Sequence, residues 1–204
     1  MSKFTDLAMR IQSIAQAGLA YGENEYDRQR YEELRTIAAE MISYESQIPV
    51  NVVKSFFCNE VGYQTPKVDT RAAIFKDGKI LLVHEKNDTW SLPGGWCEVN
   101  ESVASNTIKE TKEEAGLDVC VDKLIAVQDW RKHNVCNLPY GVIKIFVLCK
   151  ILGGEFHDNI ETTEFKYFAR NELPSKLAVE KTTEKQILMC FDAYESKNWK
   201  TLFD

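Results

Sequence analysis

Glu110, Glu113 and Glu114 are spaced three, one and four residues apart. On an α-helix that spacing brings their carboxylates within reach of one point. Like charges so placed repel one another. A hard divalent cation removes the repulsion, because Mg²⁺ takes oxygen ligands and bridges carboxylates to phosphate oxygens; Mn²⁺ suits the same donors. The chemistry this suggests is the handling of a phosphate-bearing ligand. The plainer alternative is a solvated acidic helix face.

The residues around the glutamates supply a loop and a helix to carry them. The loop is Gly94-Gly95-Trp96-Cys97-Glu98-Val99-Asn100-Glu101. Ser102 is placed to cap the helix start through its side-chain oxygen. Gly116 is placed to end it, since glycine takes the left-handed C′ conformation without a Cβ clash. Helix periodicity puts Ala104, Ile108, Thr111 and Ala115 on one stripe and the glutamates on another face.

This loop and helix resemble the Nudix box: Gly, five residues, Glu, seven residues, Arg-Glu, apolar, any, Glu-Glu, any, Gly, apolar. Gly95, Glu101, Glu110, Glu113, Glu114, Gly116 and Leu117 stand at the matching places. Lys109 stands where the family has Arg, and Thr111 where it has an apolar residue. Lysine keeps the charge but lacks the planar fork that grips a carboxylate bidentately. The resemblance implies a Nudix-type α/β/α sandwich with a mixed sheet over residues 67–204. It also implies a Mg²⁺-dependent hydrolase (Mn²⁺ as substitute) that splits a nucleoside diphosphate linked to X into NMP and phospho-X. A helical segment ahead of the box, with Ile11 to Leu19 and Tyr31 to Arg35, is similar to a bacterial subgroup of ADP-ribose and CDP-choline pyrophosphatases.

On that resemblance the metal ligands are Glu110, Glu113, Glu114 and the carbonyl of Gly95, and Glu101 pairs with Lys109. The general base is Glu113, Glu114 or a carboxylate from a later loop. Glu161 is the first choice there, with Glu155 and Glu164 as alternatives. Arg71 is a candidate phosphate clamp, its alternative being an edge-strand surface charge. Trp130, Lys132 and His133 are candidate substrate contacts on a loop after a strand, where binding groups often sit. Trp130 would stack on a base or else fill the core, and Tyr140 lies on the same loop. Two other readings remain: a housecleaning enzyme for oxidised nucleoside triphosphates, and a non-catalytic nucleotide sensor.

Composition bounds these readings. The 204 residues are 44% hydrophobic and 27% charged, typical of a globular chain of one or two domains. A net charge of −6 argues against a nucleic-acid footprint, which needs a basic face. The six cysteines, Cys58, Cys97, Cys120, Cys136, Cys149 and Cys190, have neither a CxxC pair nor zinc spacing. Reduced thiols, no visible signal peptide and no membrane-length apolar run make a cytoplasmic protein the expectation.

Along the chain, Phe4, Leu7, Ala8, Ile11, Ile14 and Ala15 recur at helix period, with Gly18 and Gly22 as punctuation. A second helix carries Tyr31, Leu34, Ile37, Ala38, Met41 and Ile42, and a third Val52, Val53, Phe56 and Phe57. Residues 1–63 therefore form a small all-α domain, too small to hide its apolar stripes alone, and a homodimer is the expectation. After Gln64-Thr65-Pro66-Lys67 the pattern turns to strands. Residues 69–75 and 79–85 flank a Lys76-Asp77-Gly78 turn. Further strands fall at 119–121, 123–129, 141–150 and 164–169, and Ile187, Cys190, Phe191 and Tyr194 mark a last helix. Strands, helix, strands and helix make an α/β or α+β layered domain.

Overall fold

The computed structural model describes residues 2–135, 140–157, 159 and 161–204. The chain forms two compact units. One is Met1–Pro66 with Asn137–Gly141, and the other is Lys67–Cys136 with Val142–Asp204.

The first unit holds α1 (Lys3–Tyr21), α2 (Glu25–Ser46) and α3 (Val50–Phe57). Ser2 caps α1 by accepting from the Thr5 N–H, and Asn24 caps α2 by accepting from Tyr26 and Asp27. Helix α1 runs through Gly18 and ends at Gly22, the second of the two glycines expected to punctuate it. Gly18 serves packing: the Tyr31 ring lies so close that a Cβ there would meet it at 2.4 Å. Ala8, Ala38, Ala39, Ile42, Val53 and Phe57 form the core. Gln12 and Gln16 are buried beside it and donate to the Phe57 and Gly62 carbonyls. The α1 stripe is only half used, because Phe4, Leu7 and Ile14 remain exposed.

The second unit contains β1 (Lys67–Lys76), β2 (Lys79–Glu85), β3 (Trp90–Ser91), α4 (Val103–Ala115), β4 (Leu117–Asp129), α5 (Trp130–His133), β5 (Val142–Gly154), β6 (Thr162–Phe168), α6 (Glu184–Glu195) and β7 (Leu202–Phe203). The sheet order is β3-β2-β1-β5-β4-β7, with β6 on β2. Strands β1 and β5 run parallel, as do β4 and β7; the other pairings are antiparallel, so the sheet is mixed. The β1–β2 hairpin closes through Asp77 and Gly78, both at positive φ, as a twisted two-residue turn requires.

Strand β1 is interior, and its alternate residues feed both layers. Ala73 joins Phe146, Leu148, Ile187, Cys190 and Phe191 under α6. Ala72 and Ile74 join Val147, Leu117 and Ala115 under α4. The expected α/β/α layering is present.

Helix α4 starts at its Ser102 cap and ends where Gly116 turns left-handed at φ 69°. Its inward stripe differs from the sequence expectation. Ala104 and Ile108 face out, while Asn106, Thr107, Thr111, Glu114 and Ala115 are buried. The helix turns its hydrogen-bonding side chains inward because they hold the loop before it. Ser102 and Ser105 make a reciprocal capping box. Ser102→Ala should therefore cost about 1 kcal/mol in urea unfolding; an unchanged midpoint would show that the cap carries no stability.

Candidate active site

The Gly94-Gly95 loop is stitched to β1 before it reaches α4. The Ala72 N–H donates to the Pro93 carbonyl at 2.8 Å, Thr70 to Gly95 at 2.9 Å, and Cys97 to Val68 at 2.8 Å. Gly94 has φ 139°, and a Cβ there would lie 1.9 Å from the Thr70 carbonyl oxygen. Only glycine fits so tight an approach. The Gly95 carbonyl thus spends one lone pair on Thr70 and keeps another. Asn106 joins loop to strand from the helix, donating to Thr70 Oγ1 at 2.8 Å and accepting from the Glu98 N–H at 3.3 Å.

The glutamates have three different environments. Glu114 is 5% exposed and accepts from the Gly94 N–H at 2.8 Å. Glu110 is mostly buried against Gly95, where a Cβ would meet its Oε2 at 2.6 Å. Glu113 has a side chain 58% exposed. Burial pushes the Glu114 carboxyl up to about 7, outweighing Arg71, the Gly94 N–H and Lys181, with Glu110 adding to the rise. Burial also raises Glu110; Lys109 opposes it, while Glu113 and Glu161 add to it.

The raised Glu114 has a consequence for stability. A carboxyl whose folded pKa lies above its unfolded value binds its proton more tightly in the folded state. Its contribution is fully present below the unfolded pKa, about 4.5, and is lost as pH rises towards 7. Without added metal, the wild-type chain should lose stability relative to Glu114→Gln across that window, as read by urea unfolding at a series of pH values. Parallel pH profiles for the two proteins would contradict this.

The loop bearing Glu161 is fastened to the end of α4. The Glu114 backbone carbonyl accepts from Thr162 Oγ1 at 2.6 Å and from Asn159 Nδ2 at 3.3 Å. Asn159 Oδ1 in turn accepts from the Glu161 and Thr162 N–H groups. The Glu161 charge is near enough to raise Glu110. Neither Asn159 nor Thr162 was singled out from sequence. The available signal was an Asx-turn pattern, Asn three residues before Thr.

Four expectations meet a different geometry. Arg71 is neither a free clamp nor an edge charge. Strand β1 is interior, and Arg71 is buried, gripping Asp69 with Nε at 2.7 Å and Nη2 at 2.8 Å while donating to the Leu92 carbonyl. Lys144 adds to that pair at 3.1 Å. Burial pushes Asp69 up, but Arg71 and Lys144 overcome it and hold the carboxyl low. Trp130 is buried as core, leaving no open face for a base. Lys132 and His133 are both turned to the Asp204 carboxylate, at 3.3 and 3.2 Å. Lys109 pairs with Glu98 and Glu113, each at 3.1 Å, and with Glu110 at 3.4 Å, in place of Glu101.

Glu110, Glu113 and Glu114 are hard oxygen donors, a chemistry that fits a hard divalent cation. Among the described residues no three His, Cys, Asp or Glu side chains already converge as a ligand set. A lysine ammonium lies among these carboxylates instead. The described cysteines, Cys58, Cys97, Cys120, Cys149 and Cys190, are free thiols, and Cys136 lies outside the described residues. No helix among the described residues is long and apolar enough to cross a membrane.

Residues 65–189 match the NUDIX domain model, and residues 2–57 match a model described as a UDP-X-like, N-terminal oligomerisation domain. The chain belongs to the Nudix family. This Nudix hydrolase is 43% identical over 204 residues to a putative ADP-ribose pyrophosphatase of Bacillus subtilis, covering 100% of this chain and 98% of that one. It is also similar to two crystal structures. An ADP-ribose pyrophosphatase from Streptococcus suis is 50% identical, with TM-score 0.64, over 69% of this chain and 100% of that one. A UDP-X diphosphatase is 32% identical, also with TM-score 0.64, over 98% of this chain and 97% of that one.

Proposed function

We propose that this Nudix hydrolase cleaves the pyrophosphate bond of a nucleoside diphosphate linked to X, releasing NMP and phospho-X. The substrate class is that of ADP-ribose or CDP-choline, and the cofactor is Mg²⁺, with Mn²⁺ able to replace it. The observation that carries the reading is the end of α4, where Glu114 accepts from the Gly94 N–H and Glu110 packs against Gly95, with exposed Glu113 beside them on the helix. The relatives' names support the substrate class: two are ADP-ribose pyrophosphatases, one putative, and one is a UDP-X diphosphatase.

The three glutamates and the Gly95 carbonyl would hold the cation. Bound there, it supplies charge neutralisation for the diphosphate and lowers the pKa of water. The chain does the rest. The Gly94 N–H holds Glu114 in place, and the nearby Arg71 charge favours its ionised form. Exposed Glu113 is ion-paired with Lys109 at 3.1 Å, and once that pair opens it would meet substrate or take a proton from the attacking water. Glu161, on a loop fastened to α4 by Asn159 and Thr162, is the other candidate base. Addition of Mg²⁺ to protein and ADP-ribose should release AMP and ribose 5-phosphate, and a chelator should stop it. Equal rates with and without divalent cation would remove the assignment of the carboxylate face.

The helical unit is read as a homodimerisation domain in a cytoplasmic protein. Support comes from the description of the model it matches and from Ile14, Tyr21, Tyr26 and Tyr44, which the unit leaves exposed. Sedimentation of the full chain should give a dimer, and a chain beginning near Thr65 a monomer. Monomers in both cases would contradict this.

A further inference from the structure

Lys109 is a long, single-point cation placed among Glu98, Glu110 and Glu113, with its Nζ 3.1, 3.4 and 3.1 Å from them. Two of these are metal ligands in the function proposed above, and the third, Glu98, belongs to the loop. An arginine would commit its planar fork to one carboxylate. A lysine ammonium has no such fork and can be shared or exchanged among several oxygens. It relieves the repulsion that a divalent cation would otherwise relieve. Each contact joins groups with substantial exposure, except for Glu110, so the ammonium has water to move into.

We propose that Lys109 is a resident counter-ion of the carboxylate face: it neutralises Glu110 and Glu113 when no metal is bound, competes with the divalent cation, and is drawn aside by Glu98 when the cation enters. Lys109 thereby sets metal affinity, and Glu98 acts through Lys109 alone. The inference rests on the metal-ligand reading of Glu110 and Glu113. Coulomb attraction between unit charges a few ångströms apart is strongly reduced near a protein surface but not abolished. Removing the ammonium should therefore tighten metal binding by about five- to tenfold.

The test is Mn²⁺ titration of the substrate-free full-length protein, followed by the electron paramagnetic resonance of free Mn²⁺. Circular dichroism checks that each variant is folded. Lys109→Met should bind Mn²⁺ about five- to tenfold tighter than wild type. Glu98→Gln should bind it more weakly, because the ammonium then rests wholly on the ligands. The double variant should match Lys109→Met alone. Lys112→Met removes the same charge from the same helix, but Lys112 pairs with Asp118 and the Gly116 carbonyl. It should change affinity by less than about twofold. Unchanged or weaker binding in Lys109→Met would overturn the proposal and make the lysine a positioning group. So would a Lys112→Met effect of equal size, or a Glu98→Gln effect that persists in the double variant. If wild type binds no Mn²⁺, the metal-ligand reading fails and this inference fails with it.

Discussion

Replacing Glu114 with Gln should lower turnover by about two orders of magnitude or more while leaving the fold intact. The amide oxygen of Gln can still accept from the Gly94 N–H, which Glu114 Oε2 accepts at 2.8 Å. Glu114 is buried, and its charged form is held there at the cost of desolvation. The neutral amide removes that cost, so unfolding stability at neutral pH should be kept or raised. A loss of rate with stability retained separates a chemical role from a structural one. Glu113→Gln makes the complementary case. Its side chain is 58% exposed and pairs only with Lys109 at 3.1 Å among the ion pairs described, so a loss of rate with the fold retained comes from the lost charge. A comparable fall in kcat is expected under saturating substrate and Mg²⁺. Normal rates in both variants would remove the site assignment.

Gly94→Ala should unfold the site by a different route. An added Cβ would sit 1.9 Å from the Thr70 carbonyl oxygen and 3.0 Å from the Arg71 Cα, and φ is 139°. Both atoms are backbone, with no flexible side-chain end to give way. The loop must leave β1, which breaks the Ala72–Pro93 and Thr70–Gly95 hydrogen bonds and pulls the Gly94 N–H from Glu114. The strain and lost bonds together should cost on the order of 4 kcal/mol in urea unfolding. Activity should fall to background even at temperatures where the variant stays folded. A stability loss under about 1 kcal/mol would mean that the loop is not held against β1 in solution.

What the sequence made legible is what local chemistry determines. Ser102 and Gly116 bound α4 because caps act on adjacent backbone, and Asp77-Gly78 forces the hairpin because two successive residues need positive φ. Helix geometry places Glu110, Glu113 and Glu114 within one turn, but it does not report that Glu114 is buried, Glu110 packs on Gly95 and Glu113 is exposed. What stayed hidden depends on distant partners. Gly18 reads together with Gly22 as helix-end punctuation, yet only Gly22 caps α1, and Gly18 instead admits the Tyr31 ring. Arg71 reads as a phosphate clamp, yet Asp69 and Lys144, on the same and a neighbouring strand, claim it for a buried ion cluster. Lys109 has the right charge for Glu101, but its single ammonium settles among three other carboxylates. Ala104 and Ile108 face outward because α4 buries hydrogen-bonding side chains to hold its loop, a tertiary demand that hydrophobic period cannot report.

The most direct measurement is a Mg²⁺-dependent hydrolysis panel with products resolved by chromatography, holding ADP-ribose, CDP-choline, a dinucleotide, a UDP-sugar and an oxidised nucleoside triphosphate. NMP is expected from one or two of the diphosphate-linked compounds, abolished by chelation and by Glu114→Gln. Cleavage of the triphosphate alone, or saturable binding with no cleavage of anything, would contradict it.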